Sequence, residues 1–155
     1  LASVLSEEQN YREGIPMSEG DLPPSATVTY EFRDASVPPP YHRSFVLVFD
    51  RSQARIVVDS YGDVLADRTA PVSEQVWNRV VQGFPAIHDL ALAEPEQPCT
   101  GGTGFSATVT ADGAVRFALS GLACGGVNSA AADRLAEWVE PVQSLFPPMA
   151  QLAPE

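Results

Sequence analysis

Two alternating runs either side of an Asp-Gly turn constrain this chain more than anything else in it. Phe105, Ala107 and Val109 alternate with Ser106, Thr108 and Thr110, and Val115, Phe117 and Leu119 alternate with Arg116, Ala118 and Ser120. Period two on both sides of Ala111-Asp112-Gly113 is a β-hairpin. Asp-Gly favours a two-residue type I′ loop, but that register sets Val109 against Arg116 and scatters the apolar residues over both faces. A three-residue loop with Gly113 left-handed in a G1 bulge pairs 109 with 115, 107 with 117 and 105 with 119. Every apolar side chain then shares one face, and a one-residue slip would reverse a whole strand. The three-residue loop is the expectation.

Carried down the strands, that register brings Cys99 opposite Gly125, one residue from Cys124, and these are the only two cysteines. A Cys99–Cys124 disulfide is expected at the open end of the hairpin, worth about 3 kcal/mol on the chain-entropy model. Gly101-Gly102-Thr103-Gly104 lacks the Gly-Lys-Ser/Thr ending of a phosphate loop and runs into a strand where such a loop would open a helix. Its glycines instead let the backbone bend tightly around the staple.

The 155-residue chain fits one domain with a sizeable core. Its net charge is −11, with 20 acidic residues against nine arginines and no lysine. Such a surface repels phosphate backbones and anionic lipid, so nucleic-acid binding and peripheral membrane attachment are disfavoured, while a basic partner is tolerated. No apolar run approaches the ~18 residues of a membrane span, and no transmembrane segment is expected. The first residue is Leu1 rather than methionine, which with the cysteine pair points to an exported bacterial protein, periplasmic, lipid-anchored or secreted, whose upstream leader is absent.

Taken in order, residues 1–25 are acidic and Gly/Pro-punctuated, and read as a flexible arm. Alternation over 26–33 makes the first strand, and Val37-Pro38-Pro39-Pro40 is expected to run extended into a second that opens at Tyr41-His42-Arg43-Ser44 and continues to Phe49. Arg55–Ser60 returns, Tyr61-Gly62-Asp63 turns, and 64–67 adds a short strand, giving an antiparallel meander. Ser73 caps a helix over about 74–82, with Val72 stapled on Trp77 and Gly83 and Pro85 ending it. Residues 87–92 form a short strand or irregular segment before the loop at 94–98. After the hairpin, Asn128 or Ser129 caps a final helix carrying Leu135, Trp138, Val139 and Val142, kinked or restarted at Pro141, and the tail 147–155 frays.

Chemistry is sparse. His42 and His88 have no partner at HExxH or HxH spacing, so no metal and no cofactor is expected. No Gly-x-Ser-x-Gly is present. His42 and Ser44, two apart on the presumed second strand, share a face that Asp59 could reach from the next strand; these three are the one nucleophile, base and orienter set available. Asp59, Asp63 and Asp67 recur every four residues but fall on strand and turn, where they read as solvated ends. Tyr41, His42, Arg43 and Tyr61, beside the proline segment, make the candidate binding surface, since Tyr and Arg carry interface energy and proline lowers the ordering cost.

The order of strands, helix, hairpin and helix over 26–146 resembles small exported bacterial domains and the emfourin-type protein inhibitors of metalloproteases. The resemblance is one of element order, with no shared motif; it implies an inhibitor role and carries over no residue. The expected protein is therefore an α+β domain with an antiparallel sheet, two helices on one face and one disulfide. Its expected function is non-enzymatic protein binding or inhibition. A small hydrolase using His42, Ser44 and Asp59, or a structural domain of a larger exported protein, is the alternative.

Overall fold

The computed structural model describes residues 20–92, 101–124 and 127–155, and within them the chain is α+β. Six strands, β1 (Thr27–Arg33), β2 (Ser44–Phe49), β3 (Gln53–Ser60), β4 (Asp63–Pro71), β5 (Thr103–Ala111) and β6 (Ala114–Ala123), form one antiparallel sheet in the order β4-β3-β2-β1-β5-β6. The meander runs outward from β1, and the hairpin docks on the other side of β1. Two long helices, α1 (Glu74–His88) and α2 (Ser129–Gln143), and the short α3 (Met149–Leu152) complete the domain.

Alternation decides which face is covered. Val28, Tyr30, Leu47, Phe49, Ile56, Val58, Phe105, Ala107 and Val109 point to one side and are buried; Thr29, Val48, Arg55 and Thr108 occupy the opposite positions in the same ladders. α1 packs on the buried face, with Trp77 edge-on to Phe49 and Phe84 edge-on to Phe117. α2 lies beside α1, with the Trp138 ring 5.6 Å from that of Phe84.

The hairpin corrects the expected register. Ala111 pairs with Ala114, so the loop is the two residues Asp112-Gly113, both left-handed at φ 53° and 79°. The scattering that argued against this loop is removed one step later: Thr110 faces Val115 while Val109 faces Phe117, leaving Arg116 as the extra residue of a β-bulge. Below the bulge the apolar faces agree, with Ala107 opposite Leu119. Cys124 ends the strand region in a bridge to Val127. Cys99 lies outside the described residues, as does the segment 94–98, so no disulfide pair is described. Within the described strands the register differs from the expected one, with Val109 opposite Phe117 and Thr103 opposite Ala123.

α1 does not stop at Gly83 and Pro85 but runs to His88, and 87–92 adds no strand. Ser73 caps it as expected, accepting from Val76 N at 3.2 Å, and Val72 and Trp77 are both buried. Pro85 forfeits a helical hydrogen bond at a cost of about 3 kcal/mol. Phe84 and Ile87, flanking it, are buried and return about 1.5–3 kcal/mol each, so tertiary burial carries the helix through. α2 likewise continues past Pro141, and Asn128 occupies its N-cap at φ 63° without a side-chain cap bond.

Elsewhere β3 begins at Gln53 and β4 extends to Pro71. The proline segment is not extended: the amides of Tyr41 and His42 bond back to the Pro38 carbonyl at 2.9 and 3.2 Å, so it turns, as a fixed proline φ near −65° permits. β2 consequently starts only at Ser44. Of the N-terminal arm, residues 1–19 lie outside the described residues, and Leu22 is buried in the core. The tail 147–155, expected to fray, carries α3 and buries Leu152 and Ala153.

Candidate functional site

Asp34 organises the chain that leaves β1. Its Oδ1 accepts from Ala35 N at 2.8 Å and its Oδ2 from Arg43 N at 3.0 Å, while its own amide donates to Ser44 Oγ at 2.9 Å. One carboxylate thus closes a loop over residues 34–43. β3 and its turn catch this loop from outside: Ser60 Oγ donates to the Pro39 carbonyl at 2.8 Å and the Tyr61 phenol to the Val37 carbonyl at 2.6 Å. Tyr61 and Gly62 form the turn, both left-handed at φ 50° and 93°. That conformation is uncommon for a bulky residue, and the phenol bond and a ring stack hold it. Asp59 Oδ2 supports the same turn by accepting from Gly62 N at 2.8 Å.

Under the turn sits His42, 6% exposed, its ring stacked on Tyr61 with centroids 3.8 Å apart and planes at 22°. Its Nδ1 is buried with no hydrogen-bond partner. A pocket of about 370 Å³ opens here, lined among others by Glu31, Asp34, His42, Ser44, Asp59 and Tyr61.

His42, Ser44 and Asp59 therefore meet along one pocket, with Ser44 directly opposite Asp59 in the β2–β3 ladder. His42 precedes the strand and does not share a strand face with Ser44 as expected. Neither bond of a nucleophile–base–orienter chain is made: Ser44 Oγ accepts from Asp34 N, Asp59 from Gly62 N, and His42 Nδ1 from nothing.

The candidate binding surface divides. Tyr41 and Tyr61 are exposed at 57% and 56%, whereas His42 is buried. The Arg43 guanidinium is turned inward on the chain itself, donating to the carbonyls of Ala153 and Pro154 at 2.8 Å each and to that of His42 at 2.7 Å. It ties down the C-terminal segment. Asp67 is exposed, as expected, and is paired there: Arg55 grips both its oxygens, at 2.9 and 2.7 Å, and chiefly through that hydrogen bond holds its carboxyl below the usual range.

Sequence reasoning passed over Asp34 and Ser60. The signal for Asp34 was an Asp opening a proline-rich stretch, since its carboxylate readily accepts nearby amides. A larger cleft of about 500 Å³ lies between α2, α3 and Ile56, but its one charged lining residue, Glu140, already accepts from Ser144 Oγ at 2.6 Å. No helix among the described residues is long and apolar enough to cross a membrane, and no group of three His, Cys, Asp or Glu suited to a metal ion is present among them. Compared with protein families, curated proteins and solved structures, the chain matches none.

Proposed function

We propose that the chain is an exported, non-enzymatic binding domain that holds a protein partner at the pocket beneath Tyr61. One observation carries the reading: a buried, unpaired Nδ1 on His42 in the wall of a pocket flanked by an exposed tyrosine. An unsatisfied buried polar atom costs about 1–3 kcal/mol, and a ligand group that reached it would relieve that cost. Tyrosines give contact area with little entropy loss, and the proline turn holds the site before a partner arrives. Inhibition of a secreted protease is one form of this reading, suggested by the order of strands, helix, hairpin and helix.

Export and the Cys99–Cys124 disulfide belong to the same proposal. Intact mass after acid quench and thiol alkylation, on protein from its native host, tests both. An unalkylated pair supports the staple and an oxidising compartment, whereas two alkylated thiols overturn them. For the partner, secreted proteins of the host are captured on the parent and on Tyr41→Ala and Tyr61→Ala. A stoichiometric complex that each substitution weakens about tenfold, with cooperative unfolding retained, supports the site. A complex indifferent to both removes it.

The hydrolase is the second reading, favoured by the convergence of His42, Ser44 and Asp59 on one pocket. Ester or peptide turnover abolished by both Ser44→Ala and His42→Ala would put catalysis in place of binding. Turnover that survives either substitution removes the hydrolase. A domain with neither partner nor turnover is left with the third role, as a structural piece of a larger exported protein.

A further inference from the structure

Given the binding reading above, the groups around the pocket narrow what enters it. The lining carries Glu31, Asp34 and Asp59 against Arg33 alone, three negative charges and one positive, or −2 with His42 neutral. An anion would meet that field unfavourably. The three carboxylates are not equally available. Glu31 is paired with Arg33 at 3.0 Å, and each oxygen of Asp34 already accepts a backbone N–H. Asp59 commits only Oδ2, to Gly62 N. Across the ladder from it stands Ser44, and beyond the turn His42, whose Nδ1 accepts a hydrogen bond when the ring carries its proton on Nε2.

Carboxylate, hydroxyl and imidazole therefore ask for one positively charged group with several N–H donors. A guanidinium suits the shape better than an ammonium, being flat, forked and weakly hydrated, and able to lie against ring systems. The pocket supplies them in the His42–Tyr61 stack. We infer that the pocket takes the guanidinium of an arginine side chain on a partner polypeptide, with Asp59 as its charge partner and His42 Nδ1 as a hydrogen-bond acceptor. Nδ1 is closed to solvent, so forming that bond requires the pocket wall around His42 to open.

N-acetyl-arginine amide titrated into the full chain, followed by NMR of the Gly62 amide and the His42 ring, tests this, with N-acetyl-citrulline amide as the neutral isostere. Saturable shifts at both residues with arginine and none with citrulline are expected. Asp59→Asn keeps an oxygen for Gly62 N and should weaken binding about fivefold, as the loss of one modest ion pair would. His42→Phe keeps a ring under Tyr61 and should weaken it as well. Equal shifts with citrulline, unchanged affinity in Asp59→Asn, or no shift at all overturns the inference. A silent titration beside a partner complex that still depends on Tyr41 and Tyr61 would sink the guanidinium alone. A saturable titration without such a complex would support the guanidinium and sink the protein-partner reading.

Discussion

Trp138 on α2 donates its indole N–H to the carbonyl of Val80 on α1 at 2.9 Å, and the same ring lies 3.0 Å from where a Cβ on residue 83 would stand. Gly83 is therefore the seat of a helix crossing and not a helix end. In an exposed helix, Gly→Ala stabilises by about 1 kcal/mol. Here the ring is buried and tethered, so Gly83→Ala should instead destabilise by about 1–2 kcal/mol net through overpacking. Urea unfolding measures this. In a Trp138→Phe background the penalty should shrink or change sign, and equal penalties in both backgrounds would show that the indole is not what Gly83 accommodates.

Arg43 holds the C-terminal segment through two carbonyls. Arg43→Ala should raise hydrogen exchange across Met149–Leu152 and expose Leu152, while the sheet amides of β1 and β5 keep their protection. Arg43→Lys offers one compact ammonium in place of a fork and should restore only part of it. Unchanged exchange at 149–152 in the alanine variant would show that burial of Leu152 suffices.

The hairpin turn offers a backbone test without packing complications. Gly113 is left-handed at φ 79° and a Cβ there meets nothing within 4 Å. Gly113→Ala should cost about 1–2 kcal/mol from the left-handed conformation alone. A neutral result in chemical denaturation would mean that the loop relaxes to a turn in which residue 113 is no longer left-handed.

Asp50 gives a pH signature. Burial raises its carboxyl, but the amides of Ser52 and Gln53 and the Ser52 hydroxyl outweigh burial and hold it below its ordinary value. A depressed folded value means the stabilisation is present above the unfolded carboxyl's range, near pH 3.9, and is lost as pH falls through the folded value. Parent and Asp50→Asn should therefore differ in urea midpoint at pH 7 and converge as the solution is acidified below about pH 3.9. A gap that is constant with pH would assign the turn to amide geometry and not to charge.

The α+β class, the strand content of the meander and hairpin, the faces of β1 and β5, and the Ser73 cap were legible in the residues alone. These follow from local periodicity and from side chains that act on their own neighbours. The rest depended on contacts between elements. Asp-Gly alone indicated a two-residue loop; whether its apolar faces could be reconciled depended on a bulge at Arg116, which only the paired strand reveals. Gly83 and Pro85 carry genuine stop signals, overridden because Phe84, Ile87 and Trp138 bury there. At the pocket, His42, Ser44, Asp59 and Tyr61 were all legible as candidates, since their residue types and rough positions were enough to gather them. Burial of His42, capture of Arg43 by residues 153 and 154, and the claim of Asp34 on Ser44 were not legible. Each is a contact across at least ten residues or a loop folded back on itself, and hydrogen-bond partners at that separation are chosen by packing, not by sequence spacing.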